Sequence, residues 1–133
     1  MQSVRRVVQA TVLGVAAAAV VASPAMATTN TDGGDATTNI KYTNTLFTSN
    51  GSGISVRYNN GIGAGGNNRL YLRVCKSSGG SSRDCSANSA VGVTNTGQTY
   101  QLGNLPRGTK FVIQYRAASS PGLNTYWSGA FTY

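Results

Sequence analysis

The chain has no histidine and no glutamate, and its 133 residues include only three acidic side chains, all aspartate. Acid–base and nucleophilic catalysis near neutral pH depend mostly on histidine or on carboxylates, and glycoside hydrolysis needs two carboxyl groups side by side. Asp32 and Asp35 stand in a polar stretch near the N-terminus, which leaves Asp84 alone in the rest of the sequence. We therefore predict that the protein is not an enzyme.

The N-terminal segment has the three parts of an export signal. Arg5 and Arg6 supply positive charge, residues 7–22 are almost entirely apolar, and Ala25-Met26-Ala27 ends in the small-x-small pattern that signal peptidase cleaves. We place the cut after Ala27, so that residues 1–27 are a signal peptide and the mature protein is secreted, in the manner of a bacterial extracellular protein. An uncleaved anchor is the alternative, but the apolar run is shorter than the roughly 20 residues of a spanning helix. No stretch after the cut is apolar enough to span a bilayer.

Cys75 and Cys85 are the two cysteines of the chain. Export leads to an oxidising space, so we predict an intramolecular disulfide between them, with free thiols or an intermolecular bridge as alternatives. Joined cysteines cannot hold zinc, and the chain has no histidine to replace them. The sequence therefore predicts neither a metal nor a cofactor.

The rest of the chain divides into a polar arm and a β-domain. Residues 28–38 hold one apolar side chain and cannot bury enough surface to offset their ordering entropy, so we predict a flexible N-terminal arm. From residue 39 onward the hydrophobic pattern has a period of two, and runs rich in β-branched and aromatic residues alternate with Gly, Asn and Ser clusters. Seven strands are predicted, over residues 40–47, 54–59, 69–76, 86–93, 99–105, 110–117 and 125–132. This spacing favours an all-β fold, a single antiparallel β-sandwich over residues 39–133.

Residues 105–111, Leu-Pro-Arg-Gly-Thr-Lys-Phe, resemble the turn that enters the sixth strand of fibronectin type III domains, Leu-x-Pro-Gly-Thr-x-Tyr. Leu105, Gly108 and Thr109 match in place, the proline comes one position early, and Phe111 replaces the tyrosine. The resemblance implies an immunoglobulin-like sandwich and no particular function. The spacing of the two cysteines is similar to a short-range disulfide of the neocarzinostatin-type secreted carriers, but this chain lacks their second disulfide and their acidic charge.

Basic residues dominate the charge of the chain. Nine of the eleven follow residue 27, and from residue 39 onward Asp84 is the sole acid. A field of this sign favours acidic partners. Outside a cell these are an anionic cell-wall polymer, an acidic polysaccharide, lipid headgroups or a secreted protein. Export argues against nucleic acid as the physiological target.

Strand alternation indicates which surface meets the partner. In an immunoglobulin-like sandwich the third, sixth and seventh strands share one sheet, and the outer face of that sheet would be basic and rich in tyrosine. Arginine binds phosphate or carboxylate through two parallel hydrogen bonds, and tyrosine rings stack on sugars or pack against protein. We predict a non-enzymatic binding or assembly module, with an ordinary solvated face as the alternative. The predicted partner-binding residues are Arg69, Tyr71, Arg73, Lys110, Gln114, Arg116 and Tyr126.

The loop between the cysteines is a second candidate site. A loop closed by a disulfide can enter a serine protease as an inhibitor, with Lys76 or Arg83 as the anchoring side chain. Gly79 and Gly80 favour a plain hairpin connection instead, because such inhibitors bind better when rigid. A secreted antimicrobial or toxin component is a further alternative, and so is a subunit that adds a strand to another protein through a sheet edge or the arm.

Overall fold

The computed structural model describes residues 27–133, and the predicted signal peptide lies outside them apart from Ala27. The described residues form nine strands, one 3₁₀ turn at Ala64–Gly66 and no α-helix. The strands are β1 (Thr29–Asp35), β2 (Lys41–Tyr42), β3 (Phe47–Thr48), β4 (Gly53–Asn60), β5 (Leu70–Lys76), β6 (Val91–Val93), β7 (Thr99–Asn104), β8 (Lys110–Ala117) and β9 (Tyr126–Thr132). Within these residues no helix has the length and hydrophobicity needed to cross a membrane.

The period-two segments fold as strands because alternate side chains can be buried. In β8, Phe111, Ile113 and Tyr115 are buried while Lys110 and Arg116 are exposed. β-branched and aromatic side chains fit such a pleated, half-buried surface. β4, β5, β7, β8 and β9 agree with five of the predicted strands to within one residue at each end.

The strands form two antiparallel sheets, which confirms the all-β class. The four-stranded sheet has the order β1-β9-β4-β7. The five-stranded sheet has the order β2-β8-β5-β6, and β3 also pairs with β8. In the second sheet Tyr71 lies opposite Arg116, and Arg73 lies opposite Gln114.

One hydrophobic cluster takes side chains from both sheets and holds them together. The rings of Phe47 and Phe131 are 5.5 Å apart between centroids, and those of Tyr115 and Trp127 are 5.1 Å apart. Each pair joins a residue of the five-stranded sheet to one of β9, and such pairs contribute about 0.5–1.5 kcal/mol beyond area burial. Trp127 is fully buried.

The N-terminal segment differs from the predicted flexible arm. Thr29–Asp35 form β1, which pairs with β9 along its whole length. Backbone hydrogen bonds need no apolar side chains. Gly33 and Gly34 also let β1 approach the Trp127 backbone and the Tyr115 hydroxyl, where an added Cβ would clash. The prediction of an arm over these residues is wrong, because composition reflects side-chain burial and not the backbone partner that β9 provides.

Two predicted strands are shorter in the structure. The first is divided into β2 and β3 at Thr43, whose side-chain Oγ1 accepts the amide hydrogen of Ile113 at 3.0 Å. The fourth shrinks to Val91–Val93 because its first residues form a turn. There the Asp84 carboxylate accepts hydrogen bonds from the Ser86 amide and hydroxyl at 3.0 and 2.7 Å. Short polar side chains compete with the strand ladder in both places.

The last strand lies in a different sheet from the one expected. β9 pairs with β1 and β4, while β2 and β3 occupy the place beside β8. Tyr126 therefore belongs to the four-stranded sheet and does not share a face with Arg69 and Tyr71, which corrects its predicted place in the binding surface. A period of two determines the side of a strand on which a residue lies, but not the strand beside it.

The predicted disulfide between Cys75 and Cys85 is confirmed, with the two Cα atoms 4.1 Å apart. Beside it, the Lys76 amide donates to the Asp84 carbonyl at 2.7 Å, and the Asp84 amide donates to the Lys76 carbonyl at 3.0 Å. The segment between the cysteines is thus a hairpin closed by a covalent bond and by two backbone hydrogen bonds.

Candidate binding face

The centre of the candidate face is the pair formed by Tyr71 of β5 and Arg116 of β8. The two residues are direct neighbours in the antiparallel register. The guanidinium carbon of Arg116 lies 4.7 Å from the centroid of the Tyr71 ring, within the range of a cation–π contact. Arg116 is exposed and Tyr71 half-buried. The ring therefore orients a guanidinium that faces solvent. In the described residues no carboxylate forms an ion pair with it.

Arg69 lies on the same face, immediately before β5, and its side chain runs over Gly92 of β6. Gly92 is the register partner of Tyr71. A Cβ added at Gly92 would lie 3.1 Å from Cδ of Arg69, tighter than ordinary van der Waals contact. The absence of a side chain at Gly92 thus leaves the space that the Arg69 stem occupies over β6.

Arg73 completes the set one step further along β5. Its Nε donates a 2.6 Å hydrogen bond to the carbonyl oxygen of Asn88. The Asn88 side chain in turn accepts from the amide of Asn104 at 3.2 Å and donates to its carbonyl at 3.1 Å. The loop after the disulfide is therefore tied to both sheets and holds Arg73 in one direction. We call the surface formed by Arg69, Tyr71, Arg73 and Arg116 the basic face.

The disulfide hairpin covers the neighbouring part of the same sheet. The guanidinium carbon of Arg83 lies 5.1 Å from the Tyr42 ring centroid. Gln114 donates to the Tyr42 hydroxyl at 3.2 Å and contacts Sγ of Cys85 at 3.6 Å. Val112 lies beneath the hairpin and is buried, although strand alternation predicts that its side chain points outward. Gln114 therefore supports the hairpin, and the accessible part of the predicted surface is the basic face.

Lys110 lies at the far end of β8, on the other side of the hairpin. It lines a cleft of about 320 Å³ with Lys76, Asp84 and Thr109. The sequence predicts that Lys110 shares a binding surface with Arg69, Tyr71, Arg73 and Arg116. The structure places Lys110 apart from these four residues.

The two candidate inhibitor residues do not project from the hairpin. Nη1 of Arg83 donates to Oγ of Ser77 at 3.0 Å and to the carbonyls of Gly80 and Ser82 at 2.6 and 2.9 Å. Its Nε is buried. Lys76, the last residue of β5, is half-buried. In this conformation Arg83 braces the loop from within and is not presented to a protease.

The charged residues of the basic face are all arginines, and the face contains no acidic residue. The nearest acid along the chain, Asp84, lies in the hairpin. Hydrogen bonds from the Ser86 hydroxyl and amide lower its pKa below the usual 3.8. Within residues 27–133, no group of three or more His, Cys, Asp or Glu side chains is placed to hold a metal ion. The face is thus equipped for electrostatic and aromatic contact.

Three supporting residues escaped the sequence analysis: Tyr42, Asn88 and Gly92. Each acts across strands or loops that are distant in sequence, so no local pattern marks it. Gly92 had a weak signal, since a glycine between two valines in a β-rich segment often marks a close approach of another group.

Comparisons with known proteins do not assign a role to this surface. No protein-family model, curated protein or solved structure matches the chain. The function must therefore be argued from the geometry of the face and from its charge.

Proposed function

We propose that the protein is a secreted, non-enzymatic binding module that attaches to an anionic extracellular polymer or surface through the basic face. The observation that carries the proposal is that Arg69, Arg73 and Arg116 lie on one sheet face with Tyr71, with the Arg116 guanidinium over its ring. Their backbones lie in or directly beside two paired central strands, so the positions of the charges are set before a partner arrives. A preorganised face loses little side-chain entropy on binding.

The charge arrangement favours a linear polyanion. Arg69 and Arg73 are four residues apart on one strand, or about 13 Å at the usual rise. Arg116 lies on the neighbouring strand opposite the midpoint, about 5 Å to the side. The Cα atoms of the three arginines are thus staggered by roughly 6–7 Å along the strand direction, and each guanidinium can take a phosphate or carboxylate through two parallel hydrogen bonds. The tyrosine between them offers a ring to a sugar or other apolar portion of the chain.

Secretion is part of the proposal and is supported by the export signal in the sequence and by the Cys75–Cys85 disulfide, which persists in oxidising compartments.

For the fold we propose an immunoglobulin-like sandwich whose first and last strands have exchanged sheets. The central pairs β4–β7 and β5–β8 have the arrangement of that fold. The exchange is the departure from it, with β9 beside β4 and β2 and β3 beside β8.

The test is binding of the protein purified from the culture medium to immobilised polyphosphate and polyglutamate. The double variant Arg69→Ala/Arg116→Ala removes two charge-assisted contacts of up to about 1 kcal/mol each, so we expect roughly tenfold weaker binding. It should also lower the salt dependence, since each lost contact reduces the slope of log K against log salt by about 0.7–0.9.

The matched control is Arg57→Ala/Arg107→Ala, which makes the same change in net charge at two other exposed positions. Arg57 lies on β4 of the opposite sheet, and Arg107 lies in the turn before β8. The control should bind nearly as well as the wild type. Equal losses in both double variants would show that net charge alone drives binding, and the basic face would then not be the site.

A further inference from the structure

Among the described residues, three of the four exposed large hydrophobic side chains lie at one end of the strands. Leu123 is 107 % exposed, Ile40 56 % and Tyr126 51 %. They belong to the segments beside the ends of β1 and β8 and the starts of β2 and β9. We call this the apical end and define it by the loops over residues 36–40, 61–69 and 118–125.

Hydrogen bonds hold the apical loops together. The Ala36 amide donates to the Thr125 carbonyl at 2.8 Å, and the Gly63 amide donates to the Asn124 carbonyl at 2.7 Å. Asn124 also donates through Nδ2 to the Gly61 carbonyl at 2.9 Å. On the other side of Leu123, Pro121 is buried. Leu123 is thus anchored on both sides and carried outward on a supported loop tip.

Basic residues lie at the same end of the strands as Leu123. Lys41 directly follows Ile40, and its Nζ donates to the Asp35 carbonyl at 2.8 Å. The Arg69 carbonyl accepts the amide hydrogen of Ala118 at 2.9 Å. Arg116 lies one residue before the end of β8. The acid at this end is Asp35, whose carboxylate accepts a hydrogen bond from the Thr125 hydroxyl at 2.8 Å. Three cations against one carboxylate give the apical end a net positive charge.

An exposed apolar tip at the end of the strands that also carries three cations and a tyrosine matches the layered chemistry of an anionic bilayer surface. Aliphatic side chains enter the acyl region, tyrosine favours the interface, and lysine and arginine bind the headgroups while their stems lie along apolar material. Leu123 stands on a convex tip, so its partner must be deformable or concave. A lipid surface meets that requirement and the charge requirement together.

We propose that the apical end docks on anionic lipid bilayers, with Leu123 inserted among the lipids and Lys41, Arg69 and Arg116 on the headgroups. This inference rests on the proposed function in that Arg69 and Arg116 also belong to the basic face. Leu123 has no part in that face, so its role separates the two proposals.

The test is flotation of the purified protein with vesicles of equal parts phosphatidylglycerol and phosphatidylcholine, and with phosphatidylcholine alone. We expect binding to the first and little to the second. Leu123→Ala should weaken partition to the anionic vesicles about fiftyfold, the effect of withdrawing three carbon atoms from an apolar phase. Leu46→Ala is the matched control, because Leu46 is also exposed but lies between β2 and β3. It should bind as the wild type does.

A fluorescent reporter tests insertion directly. The single native tryptophan, Trp127, is fully buried, so a vesicle has little effect on its emission. In Leu123→Trp the new indole should shift to shorter wavelength with anionic vesicles and become shielded from an aqueous quencher. An unshifted, quenchable indole, or equal binding by Leu123→Ala and wild type, overturns the proposal.

The outcomes distinguish the two proposals. Binding to polyphosphate that is sensitive to Arg69→Ala/Arg116→Ala, without binding to anionic vesicles, refutes lipid docking and leaves the proposed function intact. Vesicle binding that needs Leu123, without polyanion binding, supports lipid docking and refutes attachment to polymers. Capture of a defined secreted protein that depends on Leu123, without vesicle binding, identifies a protein partner and also overturns lipid docking.

Discussion

Removal of the Cys75–Cys85 disulfide offers a quantitative test of how the hairpin is stabilised. The two cysteines are 10 residues apart, and closing a loop of that length in the unfolded chain corresponds to about 2.7 kcal/mol in the chain-entropy relation. The entropy of unfolding is about 2.1 cal/mol/K per residue. For the residues described here that is about 0.22 kcal/mol/K, so the loss lowers the melting temperature by about 12 °C.

The assay is thermal unfolding followed by circular dichroism, for the oxidised protein, the reduced protein and Cys75→Ala/Cys85→Ala. The reduced protein should melt about 12 °C below the oxidised one. The double variant should melt at least as low, because Cys75 is fully buried and its truncation leaves a small void. The native fold should persist at 25 °C in both, since the hydrophobic cluster that joins the two sheets includes neither cysteine.

A decrease of less than about 4 °C would refute this reasoning. It would mean that the backbone bridge between Lys76 and Asp84, with the internal hydrogen bonds of Arg83, keeps the hairpin closed in the absence of the cross-link. Reduction also separates stability from binding. Tyr71 and Arg116 are held by strand register and not by the hairpin, so the reduced protein should still bind polyphosphate below its melting temperature.

Two further predictions concern single positions. Gly92→Val should displace the Arg69 stem from its place over β6 and weaken polyphosphate binding about two- to fivefold, as for the loss of one partly solvated charge contact. Its melting temperature should not fall, because valine suits a strand; unchanged affinity would show that Arg69 is not positioned by this gap. For Asp84, hydrogen bonds from Ser86 place the folded-state pKa below the usual 3.8. The resulting stabilisation is present above the unfolded pKa and lost as pH falls through the folded pKa. The melting temperature of Asp84→Asn should therefore fall less than that of the wild type as the pH is lowered below about 4.

The sequence predicted the features of the fold that depend on local pattern. The period of two placed β8 at residues 110–117 and assigned the outward direction of Tyr71 and Arg116, because burial of one face imposes that alternation. The charge imbalance and the missing histidine were equally visible. These are properties of short segments or of composition, and they do not require knowledge of which strands meet.

Features that depend on long-range pairing could not be predicted in the same way. β1 is polar throughout, and its place in the sheet follows from the backbone edge of β9, almost a hundred residues away. The same strand, β9, carries Tyr126 into the four-stranded sheet. The hairpin also covers Gln114, because Arg83 contacts Tyr42, a residue distant in sequence. In each case the placement depends on contacts with a segment that is distant in sequence. Alternation of residues along one strand does not identify that segment.

The basic face and the apical end meet at Arg69 and Arg116. We therefore expect the charges and Leu123 to contribute to different steps of binding. Long-range attraction from fixed positive charges speeds encounter and weakens with salt. Insertion of Leu123 acts at contact range, is nearly independent of salt, and slows departure. The arginine variants should therefore act mainly on the association rate, and Leu123→Ala mainly on the dissociation rate.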